Sequence, residues 1–145
     1  MPSARLTVIT LGVSDMRASI AFYTALGFAR HMPETGEAVA FFATGGSVLA
    51  LYPWEALADD AGVSVTPRPA GFRGTTLAWN CNTREEVDAA LSHALACGGT
   101  RVKPAVETHY GGWSGYFADP DGHLWEVVTA PGLAVSADGR VVFAG

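Results

Sequence analysis

The sequence holds four histidines, two cysteines and one serine between glycines, and their spacing removes most of the chemistry such groups can do. His31, His93, His109 and His123 form no pair of histidines four residues apart and no short His-x-His, so they build no metal site by themselves. His31, His93 and His123 read as surface or turn residues. Cys81 and Cys97 lack the CxxC spacing of a structural zinc site. Cys97 falls at the end of a helix with no evident base, which argues against a catalytic thiol. Gly112-Trp113-Ser114-Gly115-Tyr116 has the wrong glycine spacing for a nucleophile elbow. There is no phosphate loop and no GxGxxG. What remains is the loop His109-Tyr110-Gly111-Gly112-Trp113. Its adjacent glycines would let backbone approach a ligand, and its aromatic rings could stack on one.

Composition bounds the rest. The chain has 145 residues, 49% of them apolar and 16% charged, which is the make-up of one globular domain. Nine basic residues against fourteen acidic ones give a formal charge of −5, with no basic cluster. A nucleic-acid partner is therefore excluded, because tracking phosphates requires a basic footprint. No apolar run approaches the ~20 residues of a membrane helix, so no membrane partner is expected. The first residues lack the apolar region and cleavage site of a secretion signal. Together with two unpaired thiols, this points to the cytoplasm.

The elements that must position these groups occur twice. The first strand covers roughly Leu6 to Val13, with Ile9, Leu11 and Val13 apolar in alternation. Ser14-Asp15 then starts a helix whose stripe is Met16, Ile20, Tyr23 and Leu26, and Gly27 stops it. The second copy opens near Thr75 with Leu77, Trp79 and Cys81 in alternation. Thr83-Arg84-Glu85-Glu86 matches a capping box, followed by the stripe Val87, Leu91, Ala94, Leu95 and the stop Gly98-Gly99. A hairpin follows in each copy, over 39–52 and 114–128. In the second hairpin Pro120 and Gly122 set the turn. Aligning the two hairpins pairs Phe42 with Phe117 and Ala50 with Glu126. The expected organisation of the single domain 1–145 is a first βαβββ module at 5–58, a linker at 59–71 carrying Pro67 and Pro69, a second module at 72–131, and a tail at 132–145 with a short strand at Arg140 to Phe143. Each sheet would bury one face under its helix and leave the other for a concave pocket.

Two stretches also resemble a known family. Gly12-Val13-Ser14-Asp15 with Ser19-Ile20-Ala21-Phe22-Tyr23-Thr24-Ala25-Leu26-Gly27-Phe28, and Gly115-Tyr116-Phe117-Ala118-Asp119-Pro120-Asp121-Gly122-His123-Leu124-Trp125-Glu126, look like the two module signatures of the vicinal oxygen chelate superfamily. That group contains glyoxalases, dioxygenases and bleomycin-resistance proteins. The resemblance covers roughly Arg5 to Pro131. It implies an α+β fold of two tandem βαβββ modules forming a curved, incomplete mixed β-barrel around a central pocket, and a homodimer. It does not fix the reaction, because function belongs to the site and not to the scaffold.

The superfamily usually holds a divalent metal through side chains on the first and last strand of each module. Carried onto this chain by strand alternation, those positions are Val8, Ala50, Thr76 and Glu126. Only Glu126 is a good ligand, and such a site needs three. A slip by one residue, to Ile9, Leu49, Leu51 or Thr75, supplies no better donors. The expectation is therefore no metal and no cofactor.

An inward Glu126 could pair with Arg68 or Arg73, or have a pKa raised by desolvation and act as general base or as anchor for a cationic ligand. Alternation sends Trp79 and Trp125 toward the helices and puts Thr10, Tyr52, Thr76 and Asn80 on the pocket side. The expected ligand site is thus Thr10, Tyr52, Thr76, Asn80, His109, Tyr110, Trp113 and Glu126. Its expected use is sequestration of a small organic ligand, as in bleomycin-resistance proteins. The alternative is a lyase, isomerase or dioxygenase using Glu126 as base or as ligand of an unmapped metal.

Overall fold

In the structure, a computed structural model that describes residues 1–64 and 71–144, each half of the chain is built round one capped helix. The Asp15 carboxylate accepts the Ala18 N–H at 3.0 Å and starts α1 (Met16–Leu26); Gly27 ends it in a conformation with φ of 120°. The Thr83 hydroxyl accepts the Glu86 N–H at 3.1 Å and starts α3 (Arg84–Ala96). The Glu86 carboxylate reaches back to the Asn82 N–H at 2.7 Å. Both helix starts sit where side chains can satisfy amides that the helix leaves unpaired.

The chain forms two units, Met1–Arg68 and Pro69–Gly145. In the first, β1 (Val8–Val13), β2 (Ala29–His31), β3 (Ala40–Ala43) and β4 (Val48–Pro53) form one sheet in the order β1-β4-β3-β2. β1 runs parallel to β4, and the other pairs are antiparallel. In the second, β5 (Thr76–Asn80), β6 (Thr100–Glu107), β7 (Trp113–Ala118) and β8 (Leu124–Thr129) repeat this as β5-β8-β7-β6, with β5 parallel to β8. The fold is α+β, two tandem βαβββ modules, and both sheets are open-edged. β1 begins two residues later than its apolar pattern suggests, because its partner β4 starts only at Val48.

Each helix buries one face of its own sheet. Under α1 lie Leu11, Val13, Phe42, Leu49 and Leu51, closed by Met16, Phe22, Tyr23 and Leu26. Phe22 and Ser19 are buried there, whereas Ile20 is only half-buried. Under α3 lie Phe117, Trp125 and Val127, with the Phe117 and Trp125 rings stacked 5.9 Å apart, together with Val87, Ala90 and Ala94. Among the described residues no helix is long and apolar enough to cross a membrane.

Two elements depart from the sequence reading. Asp59–Ala61, assigned to the linker, instead complete α2 (Trp54–Ala61). Pro53 opens this helix and Gly62 closes it in the left-handed region, with good helix formers between them. Residues 65–70 of the linker assignment, including Pro67, Arg68 and Pro69, fall outside the described residues. The tail strand is β10 (Val141–Phe143), and its antiparallel partner β9 (Leu133–Val135) was not foreseen. The Asn82 side chain ties β9 to the second unit: its amide donates to the Val135 carbonyl at 3.0 Å and accepts the Val135 N–H at 2.8 Å.

The difference between core and cap is measurable. Phe117→Ala should cost about 3–5 kcal/mol and Thr83→Ala about 1 kcal/mol in urea unfolding. Equal costs would mean that the stacked pair is not the core of its unit.

Candidate functional site

In each sheet the face turned away from the helix carries the polar candidates. Gly115 fixes which face is which in the second unit, since a Cβ there would sit 2.6 Å from Leu91 Cδ1 of α3. Its neighbours Ser114 and Tyr116 therefore project from the opposite, open face. Register places Ala78 and Tyr116 directly beside Glu126, and Ser114 between Val106 and Val128. Thr76 and Asn80 share that face, opposite Leu124 and Val128. Leu124 and Val128 flank Glu126 along its own strand.

Glu126 is the hub. Its Oε2 accepts the Ser114 hydroxyl at 2.7 Å, and Tyr116 stands beside the same carboxylate across the strand pair. Ser114 is buried, while Tyr116 and Glu126 are half-buried. Burial raises the Tyr116 pKa above its ordinary value, the Glu126 carboxylate raises it further, and Tyr110 adds to the effect. All three act in one direction, against a phenolate. Tyr110 is thus an electrostatic neighbour of the cluster. Its ring meets His109 edge-on at 5.2 Å.

Ser114 and Tyr116 were absent from the site expected on sequence. The signal was available: Phe117 belongs to the core, so alternation sends Tyr116 and Ser114 to the open face. The same rule moves Trp113 the other way. Trp113 lies on the helix side, donates through Nε1 to Asp88 at 2.8 Å, and has the Arg84 guanidinium 4.9 Å above its ring. It does not join Glu126. The expected role of the paired glycines also changes. A Cβ on Gly112 would lie 2.5 Å from the Thr129 carbonyl and 2.8 Å from the Tyr110 ring, so the close approach is to the protein's own strand and loop. Thr108 closes this turn by accepting the Gly112 N–H on its hydroxyl at 2.8 Å.

Of the two basic residues considered as partners for Glu126, Arg73 is engaged elsewhere. Arg73 donates to the Asp121 carbonyl at 3.1 Å and meets His123 Nδ1 at 3.2 Å, bracing the Asp119–Gly122 turn. In that turn Asp119 Oδ1 accepts the N–H groups of Asp121 and His123, both at 2.9 Å. Arg68 lies outside the described residues. Cys97, read as lacking a base, has His93 Nε2 3.7 Å from its sulfur, one helical turn away. Burial and the Glu86 charge push the Cys81 thiol up to about 11, which keeps it protonated and unreactive.

In the first unit, Thr10 and Tyr52 lie on the open face, opposite Ala50 and Gly12. Trp54 and Leu57 of α2 cover the Gly12 end of that face: a Cβ on Gly12 would lie 3.1 Å from the Trp54 ring. Of the four positions that the family resemblance offers for a divalent metal, Val8 and Ala50 have no donor, Thr76 offers a hydroxyl, and Glu126 accepts the Ser114 hydroxyl. Among the described residues no three His, Cys, Asp or Glu side chains converge. This donor set does not fit a catalytic cation.

The model of the Glyoxalase/Bleomycin resistance protein/Dioxygenase superfamily matches residues 5–127. Among curated proteins none matches significantly. Solved structures do. A glyoxalase-related enzyme from Fulvimarina pelagi is 38% identical with a TM-score of 0.85, over 97% of this chain and 99% of that one. A glyoxalase/bleomycin resistance protein/dioxygenase from Nocardioides is 27% identical with a TM-score of 0.73, over 90% and 85%. A lactoylglutathione lyase from Agrobacterium tumefaciens, 22% identical with a TM-score of 0.66 over 88% and 95%, shares the fold.

The Tyr116–Glu126 contact has a pH signature. A phenol whose pKa is raised on folding contributes stability below the unfolded value of about 10 and loses it as pH rises through the folded value. Absorbance titration at 295 nm should show a late-ionising phenol that Tyr116→Phe removes, and unfolding should become easier above pH ~10. An unchanged titration in the variant would mean that Tyr116 does not meet the carboxylate.

Proposed function

Because the chain belongs to the glyoxalase/bleomycin resistance protein/dioxygenase superfamily, we propose that it is a metal-free binding protein that sequesters a small organic ligand. The ligand lies against the open face of the second module, where Ser114, Tyr116 and Glu126 meet. One observation carries this reading: of the four positions that the resemblance offers for a metal, only Glu126 has a strong donor, and that carboxylate already accepts the Ser114 hydroxyl of its own sheet. A catalytic divalent site needs about three protein ligands with an open position. One carboxylate cannot hold a cation at useful occupancy, and sequestration needs affinity without a reaction. Thr76, Asn80 and Tyr110 extend the binding surface in the same module.

The open-face carboxylate favours a second reading. Glu126, held by the Ser114 hydroxyl, can take a proton from one carbon of a substrate and return it to the product, as a lyase or isomerase of this superfamily would need. In that case Glu126 removes a substrate proton directly, without a metal.

Elemental analysis of protein purified from cells separates a metal enzyme from both. The expected result is no stoichiometric transition metal, and no thermal stabilisation by added zinc, nickel, manganese or iron(II). One bound metal per chain, lost in Glu126→Gln, would overturn the proposal.

A further inference from the structure

The Glu126 carboxylate has polar neighbours that do not neutralise it. Ser114 donates a neutral O–H to it, and the neutral phenol of Tyr116 belongs to the adjacent strand position. Among the described residues no Lys, Arg or His forms an ion pair with it, although basic residues are close in the sheet. Arg73 is bound to the Asp119–Gly122 turn. Arg84 pairs with Glu107 at 2.9 Å on the helix side. Lys103, opposite Tyr116 on the edge strand β6, is exposed and makes no ion pair among the described residues.

On the side away from Ser114 and Tyr116 the nearest neighbours of this charge are aliphatic. Ala78 lies beside Glu126 across the pair with β5, and Leu124 and Val128 flank it along β8. A neutral ligand covering the face would strip water from a carboxylate and leave it without a cation, a costly arrangement. An anionic ligand would add repulsion. A ligand with a positive head and an apolar body would replace the lost water with a charge-assisted hydrogen bond and cover the aliphatic flanks. The phenols of Tyr116 and, within electrostatic range, Tyr110 add electron-rich groups beside that head. The formal charge of −5 favours the approach of a cation.

We infer that the ligand taken at the Ser114–Tyr116–Glu126 face is an organic cation, a primary or secondary ammonium on a small apolar body. This rests on the reading of that face as a binding site and goes further by fixing the sign of the ligand's charge.

Benzylamine, benzyl alcohol and benzoate, matched in size and differing in charge, test it by ligand-observed NMR titration at pH 7 and low salt. The wild-type protein should bind benzylammonium at least about tenfold more tightly than benzyl alcohol, with benzoate weakest. In Glu126→Gln, checked for folding by circular dichroism, the preference should fall to about twofold or less. Added salt should narrow the wild-type preference. The wild-type ranking decides the matter even if the variant fails to fold. Equal binding of amine and alcohol, both weakened in Glu126→Gln, would overturn the cation assignment and leave the binding face intact. Equal binding of all three, unchanged in the variant, would remove both. Preference for benzoate, or no binding of any probe, would also overturn the cation assignment.

Discussion

Parallel pairing of the first and last strand of each module constrains everything else in the structure. Once β1 lies beside β4 and β5 beside β8, the period-two alternation of a strand assigns each side chain to the helix side or the open side. The helix side is settled by burial. Phe42, Leu49 and Leu51 in one module, and Phe117, Trp125 and Val127 in the other, can be covered only by α1 and α3. A slip by one residue would expose these side chains and bury Glu126 under a helix. The position of one carboxylate on an open face therefore follows from the packing of apolar side chains on the opposite face.

That carboxylate differs from the metal-binding corner of a superfamily enzyme in its company. The other corners are Val8, Ala50 and Thr76, and Glu126 accepts the Ser114 hydroxyl from the neighbouring strand. That hydrogen bond orients the carboxylate without cancelling its charge. Burial and the neighbouring charge act together to keep the Tyr116 phenol protonated. The same strand, β7, supplies Phe117 to the core and Tyr116 to the cluster, so stability and site share one backbone segment.

Much of the fold was legible in the sequence because its signals are local and repeated. Asp15 and Thr83 cap helices, Gly27 ends one, and the apolar alternation of Leu11 with Val13 and of Leu77 with Trp79 marks strands. α2 was not read because Trp54–Ala61 follows Pro53 so closely that it resembles the start of a loop; its packing on Gly12 is a contact between segments far apart in the chain. The site was half legible. Of the expected residues, alternation puts Glu126 on the open face, whereas it puts Trp113 on the helix side with Phe117. Tyr116 and Ser114 gain a role only from their positions relative to Glu126 across the strand pair, which no local motif carries. His93 and Cys97 lie four residues apart, a helical spacing that brings Nε2 to 3.7 Å from the thiol sulfur.

The most direct test of a carboxylate held by a hydroxyl and not by a metal is anomalous diffraction from wild-type crystals grown with zinc or manganese, collected at the metal edge. The account predicts no anomalous peak at Glu126, with Ser114 Oγ within hydrogen-bond reach of the carboxylate. A peak coordinated by Glu126 and two further side chains of this chain would contradict it.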